Sequence, residues 1–226
     1  MGGRLTPCLA IVATILAAAC APGKSSLTVP DYQERARNLR KIGVVMVGAR
    51  VQHLHAGGGS SPDADSSAQC ASCAVQAVEQ ALTDRGYEAV AIPLDRDYLL
   101  LLRAYGQVRD DLFNANPSDE KKLPGIEPLP GPPGLCAKNG VDAIVVVGAC
   151  DNQFPEGGRA VFWDQALLRV YFGRGAAYAD LSALDCTGRV VHYGQQSGRY
   201  CSLSSEEGVH TVFEELVSGL PPAGPR

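Results

Sequence analysis

Cysteine and histidine are the residues here whose spacing could do chemistry. Beyond the apolar N-terminal stretch the chain holds Cys70, Cys73, Cys136, Cys150, Cys186 and Cys201. An even number of thiols in an exported chain reads as a disulfide framework, and six cysteines leave fifteen pairings open. Cys136 and Cys150 flank one predicted strand, and Cys186 and Cys201 flank the last arm of a predicted hairpin. Cys70-Ala-Ser-Cys73 also has the spacing of an exchange-active dithiol. At the start of a helix, one of its thiols would feel the positive end of the macrodipole and lose its proton more easily. A site of that kind normally follows a strand closely, whereas this one follows a loose Gly/Ser/Asp stretch. His53-Leu54-His55 puts two imidazoles on one face of a strand. With Cys70 and Cys73 they would form a His₂Cys₂ set suited to zinc or copper. The long flexible loop between the two pairs specifies such a site weakly. The expectation is therefore structural cysteines, no metal and no cofactor. His192 and His210 stand alone, one in a strand and one on a helix, and are expected to be solvated.

Other chemistries lack their residues. Gly57-Gly-Gly59-Ser60 is not followed by the Lys and Ser/Thr of a phosphate loop and reads as linker. No Gly-Xaa-Ser-Xaa-Gly occurs, and the carboxylates are scattered, with no pair suited to acid–base work. A net charge of -4 argues against nucleic acid, whose binding needs a strong basic face. Phe162, Trp163, Tyr171 and Phe172 give one predicted strand (160–172) an aromatic character. The core is the favoured place for these rings. Phe162 and Trp163 point to opposite faces, so one of them could reach a partner surface.

The first nineteen residues carry one charge, Arg4, then an apolar core, then Ala17-Ala18-Ala19 before Cys20. This is the pattern of a secretory signal, too short for a comfortable membrane span. Cys20 after three small residues resembles a bacterial lipobox, with Ala17 where Leu or Val is usual. Lipidation of Cys20 is the primary reading. Ala17-Xaa-Ala19 also suits an ordinary signal peptidase, which would release a soluble protein, and an uncleaved anchor is the third reading. Ala21 is not the aspartate that retains lipoproteins in the inner membrane, which leans towards the outer one. Residues 20–38 are then a lipidated N-terminus and tether, rich at first in Pro, Gly and Ser.

The body, 39–220, reads as one domain, followed by a tail at 221–226. KIGVVMV (41–47) is a nearly continuous apolar strand, with a helix through 31–40 leading into it. AGGGSSPDADSSAQ (56–69) is a loop by composition. A helix follows over 70–85, with Val75, Val78 and Leu82 on one face and Gly86 as its stop. A strand over 87–92 precedes a helix over 97–113 whose Leu99–Leu102 cluster needs burial. A Pro-rich insert (114–134) is expected to be irregular. VDAIVVVGA (141–149) is the clearest strand. Strands over 160–172, 176–185 and 189–200 follow, with Thr187-Gly188 as a hairpin turn. Ser204-Ser-Glu-Glu207 matches a capping box opening a helix with Val209, Val212, Phe213, Leu216 and Val217 inward. The sum is a single three-layer-like α/β sandwich. Its mixed sheet is parallel in the first half, with an antiparallel C-terminal meander, and helices flank it.

A lipobox, KIGVVMV, a helix ending in LTDRGYEAV and then GVDAIVVVG together resemble a group of bacterial envelope proteins. The group includes the TolB amino-terminal domain, the penicillin-binding-protein activator lipoproteins and the curli-secretion lipoprotein. The resemblance covers roughly 39–220 and implies the fold more specifically than any function. The chain departs from the group in its six body cysteines and its Pro-rich insert. The reading that results is a non-enzymatic, periplasm-facing lipoprotein, held to the membrane through its N-terminal lipid. It binds envelope protein partners or itself in envelope assembly or transport. A thiol-redox or metal-binding protein and a binding module for a small envelope ligand are the alternatives.

Overall fold

The computed structural model describes residues 23–224 apart from 37, 56–58, 115–122, 124, 154–176, 199–202 and 204. Cys20, Cys201, Phe162, Trp163, Tyr171, Phe172 and the strand expected over 160–172 lie outside the described residues.

Apolar, β-branched sequence builds the centre of the fold. β5 (Ala143–Gln153) begins with nine buried residues in a row, as a strand covered on both faces must be. β2 (Lys41–Leu54) runs parallel to it, pairing Ile42 with Ala143 and His53 with Gln153. A register shift between Met46 and Gly48 marks a bulge in β2. β4 (Glu88–Ala91) lies parallel to the first residues of β2, and β3 (Ser60–Asp63) folds back antiparallel on its last ones. On the other side of β5, β6 (Ala177–Asp185) and β7 (Val190–Gly198) form the antiparallel hairpin. Gly188 turns it at φ 89°, where only glycine is unstrained. β1 (Gly23–Thr28) closes the far edge, antiparallel to β7. The order is β1-β7-β6-β5-β2-β3 with β4 beside β2, a seven-stranded mixed sheet.

Among the described residues, the helices that cover it are α1 (Tyr32–Ala36), α2 (Ala64–Asp84), α3 (Arg96–Asn114), α4 (Pro132–Asn139) and α5 (Glu206–Ser218). Alternation along β5 feeds two separate cores. Val145, Val147 and Ala149 pack under α1, α2 and α5, while Ile144 and Val146 pack under α3 and α4. The α/β sandwich with its half-parallel, half-antiparallel sheet is as the sequence suggests.

Four local expectations are corrected. The tether expected over 20–38 contains β1 and α1, with Leu27, Val29, Tyr32 and Ala36 buried. Strand pairing at a sheet edge tolerates polar residues, so the Ser-rich composition concealed it. The loop over 56–69 contains β3 and the first turns of α2, because Asp63 caps that helix by accepting from the Ser66 backbone N–H at 2.9 Å. The Pro-rich insert ends in α4, where proline suits the first helical turn and Gly140 provides a left-handed C-cap at φ 59°. Its preceding segment is anchored as well: Leu129 is buried and its N–H donates to the Gly188 carbonyl at 2.8 Å. Finally, the Leu99–Leu102 cluster is split. Leu101 is fully buried and Leu102 half-buried, whereas Leu99 and Leu100 face solvent. At the C-terminal helix the cap falls on Ser205, which accepts from the Gly208 N–H, and the five predicted apolar residues are buried.

Candidate functional site

The described body cysteines, Cys70, Cys73, Cys136, Cys150 and Cys186, fall into a bonded pair and free thiols. Cys136 of α4 and Cys186, just after β6, form a disulfide with a Cα–Cα distance of 5.8 Å. It fastens the short helix to the hairpin. Cys70, Cys73 and Cys150 are free thiols. Cys70 lies seven residues beyond the Asp63 cap, two turns into α2 and out of reach of its dipole end. It faces the core beside Ala74, and burial pushes its thiol up to about 12. An exchange-active cysteine needs the opposite shift. Cys150 alternates with Ala149 along β5 and so faces the other side of the sheet from Cys70. Burial raises its thiol too.

His53 is exposed and its Nε2 stands 3.2 Å from Asp63, across the β2–β3 pair. His55 is exposed at the strand end. Cys70, by contrast, is turned inward on α2. Among the described residues no group of three or more His, Cys, Asp or Glu is placed to hold a metal.

A polar cluster that no local pattern announces is buried under α3. Asp180 of β6 is fully buried and receives the Arg109 guanidinium through Nε at 3.1 Å and through Nη2. The Tyr105 hydroxyl lies 3.0 Å from the same carboxylate and 2.8 Å from Ser182 Oγ. Burial, with Asp180 beside it, pushes the Tyr105 phenol well above its ordinary range. Arg109 also sits over the Tyr178 ring, 5.5 Å from its centroid. Gly148 makes room for this: a Cβ there would run into both the guanidinium and Asp180. Arg109 and Asp180 pair with each other, and the cluster ties α3 to the sheet.

On the opposite face His192 is buried, contrary to the solvated position expected for it. A bulge in β7 turns Val191 and His192 towards α5, since Ala183 pairs with His192 but Leu184 with Val190. The ring stacks on Tyr32 of α1 at 5.5 Å, and neither nitrogen has a hydrogen-bond partner among the described residues. Burial lowers its pKa to about 4. His210 is half-buried on α5.

Among the described residues, the large exposed hydrophobics gather at one place on the surface. Leu94, Leu99 and Leu100 are 69%, 55% and 41% exposed at the start of α3. Arg96, Leu99, Leu100 and Arg103 recur at positions i, i+3, i+4 and i+7, and all four are exposed, which puts them in one stripe along the helix. Asp95 and Asp97, alongside, are both engaged by Lys138 of α4. The stripe is thus apolar and basic. Its spacing is legible in the sequence, but a run of four leucines suggests burial there rather than exposure.

No protein-family model and no curated protein matches the chain. Among solved structures it is similar to a dodecamer of a point variant of PelC from Paraburkholderia phytofirmans. That similarity is 10% sequence identity and a TM-score of 0.44 over 90% of this chain and 99% of the other. A second PelC dodecamer from the same organism is similar at 11% identity and a TM-score of 0.42, over 91% and 100%.

Proposed function

We propose that the chain is a non-enzymatic protein of the bacterial cell envelope, lipid-anchored through Cys20. On this reading it faces the periplasm from the outer membrane and binds protein partners, or copies of itself, in envelope assembly or transport. The exposed stripe on α3 carries the reading. Two leucines of a four-leucine run are left in water on a helix whose other face is well buried, and a patch of that kind is ordinarily covered in function. The buried, proton-holding Cys70 thiol and the paired Arg109–Asp180 cluster support binding over catalysis.

The anchor rests on the sequence through Cys20. Only Ala21 and Pro22 separate that cysteine from β1, so the β1 edge of the sheet would lie within about 10 Å of the lipidated residue. The Cys136–Cys186 bridge suits the oxidising compartment this implies. Cys20→Ser in the full chain tests the anchor by membrane fractionation. Release into the soluble fraction with unchanged thermal unfolding is expected. Continued co-sedimentation with membranes would overturn the lipid anchor.

A further inference from the structure

We infer that the α3 stripe docks on the outer face of α5 in a second copy of this chain, head to tail. This rests on the self-association arm of the function proposed above. The two surfaces match in charge and spacing. Arg96 and Arg103 lie seven residues apart on α3, and Glu207 and Glu214 lie seven apart on α5. Seven residues of helix rise about 10.5 Å, so both charges of one helix can meet both charges of the other. All four side chains are exposed and none has an ion pair among the described residues. Between the charges, Leu99 and Leu100 would lie against Thr211, which is exposed on the same stripe as Glu207 and Glu214.

Geometry selects this occupant over two others. Two α3 stripes packed on each other would set Arg96 and Arg103 against arginines, which is repulsive. A membrane is disfavoured by position. The chain leaves towards Cys20 from β1 at one edge of the sheet. α3 starts over β2, four strands away, where the Tyr98 hydroxyl donates to the Met46 carbonyl at 2.8 Å. The docking helices lie on opposite faces, α3 over one core and α5 over the other. Each copy therefore keeps one surface of each kind free after its first contact. A contact of that kind is heterologous and continues into a ring or a filament.

The test uses the mature lipidated protein in detergent, followed by sedimentation and chemical cross-linking. Assemblies larger than dimers are expected. Arg96→Glu with Arg103→Glu, or Glu207→Arg with Glu214→Arg, should each weaken assembly about tenfold or more, because two attractions become repulsions. The chain carrying all four reversals should reassemble. Leu99→Asp with Leu100→Asp should leave monomers whose thermal unfolding matches the parent. A parent that is monomeric throughout would overturn the self-association reading itself. A parent that assembles but ignores the charge reversals would overturn this interface alone. Loss of binding to phosphatidylglycerol vesicles by the leucine variant, with assembly intact, would overturn it in favour of a membrane surface.

Discussion

The two faces of the sheet are held down by different physics. Under α1, α2 and α5 the core is made of side chains such as Val147, Leu181, Val209 and Phe213, and of the small residues Ala74, Ala77 and Ala81 that let α2 approach closely. A buried base there, His192, has no hydrogen-bond partner among the described residues. Under α3 and α4 the same strands supply Asp180 and Ser182, Arg109 and Tyr105 answer them, and a disulfide fastens the short helix. Apolar burial is strong but non-directional. A two-bond guanidinium–carboxylate pair is directional. It fixes where α3 crosses the sheet, and so fixes the stripe that α3 presents outward.

Breaking the polar face should have the largest effect. Asp180→Ala leaves the Arg109 charge, whose side chain is only 23% exposed, without its carboxylate. Removing one member of a buried pair costs about 3–5 kcal/mol. Urea unfolding should show this as a lower midpoint at unchanged slope. A loss under about 1 kcal/mol, within the range of an exposed pair, would mean that the pair does not hold α3.

The apolar face should be broken next most strongly, by acid. His192 has a pKa of about 4 in the folded state, against 6.5 for the free side chain, because burial disfavours the charged ring. Between those values the unfolded chain binds a proton that the folded one refuses. The stabilisation is therefore complete above about pH 6.5 and is lost as pH falls towards 4, by about 3 kcal/mol over the window. His192→Phe keeps a ring beside Tyr32 and removes the proton. Its urea midpoint should fall less between pH 7 and pH 4.5 than the parent's. Parallel declines in the two proteins would place the acid sensitivity in other groups.

This contrast also marks what the sequence could show. Period and composition exposed β5 and α5, because their apolar residues recur at the spacing of the element itself. They concealed β1, whose place at the edge is fixed by backbone bonds to β7 and by Leu27. They also concealed the role of Asp180, since nothing local says that a β6 carboxylate will face an arginine 71 residues earlier. The burial of His192 is hidden for a different reason. Alternation along β7 breaks at the Val191 bulge, and a one-residue slip changes the face of everything beyond it. On α3 the stripe was visible as spacing, but four leucines in a row suggested burial more strongly than solvent. The CxxC was visible as a motif, and only the Asp63 cap, two turns upstream, moved it away from the helix end.

The finest test of the comparison lies at adjacent positions of β5. Ala149 faces the apolar core, whereas Gly148 lies where the guanidinium and carboxylate of the other face come closest. A methyl group at 148 must displace Arg109 or Asp180, and overpacking of that kind costs about 1–3 kcal/mol. The cost should depend on the pair. In an Asp180→Ala background the carboxylate is gone and Arg109 is free to move, so Gly148→Ala should cost markedly less there. Urea unfolding of the two single variants and the double variant gives the coupling directly. A coupling of about 1 kcal/mol would show that Gly148 is required by the latch above it. Additive effects would mean that the strand needs glycine there for reasons of its own backbone, and that the two faces are less different than the ion pair suggests.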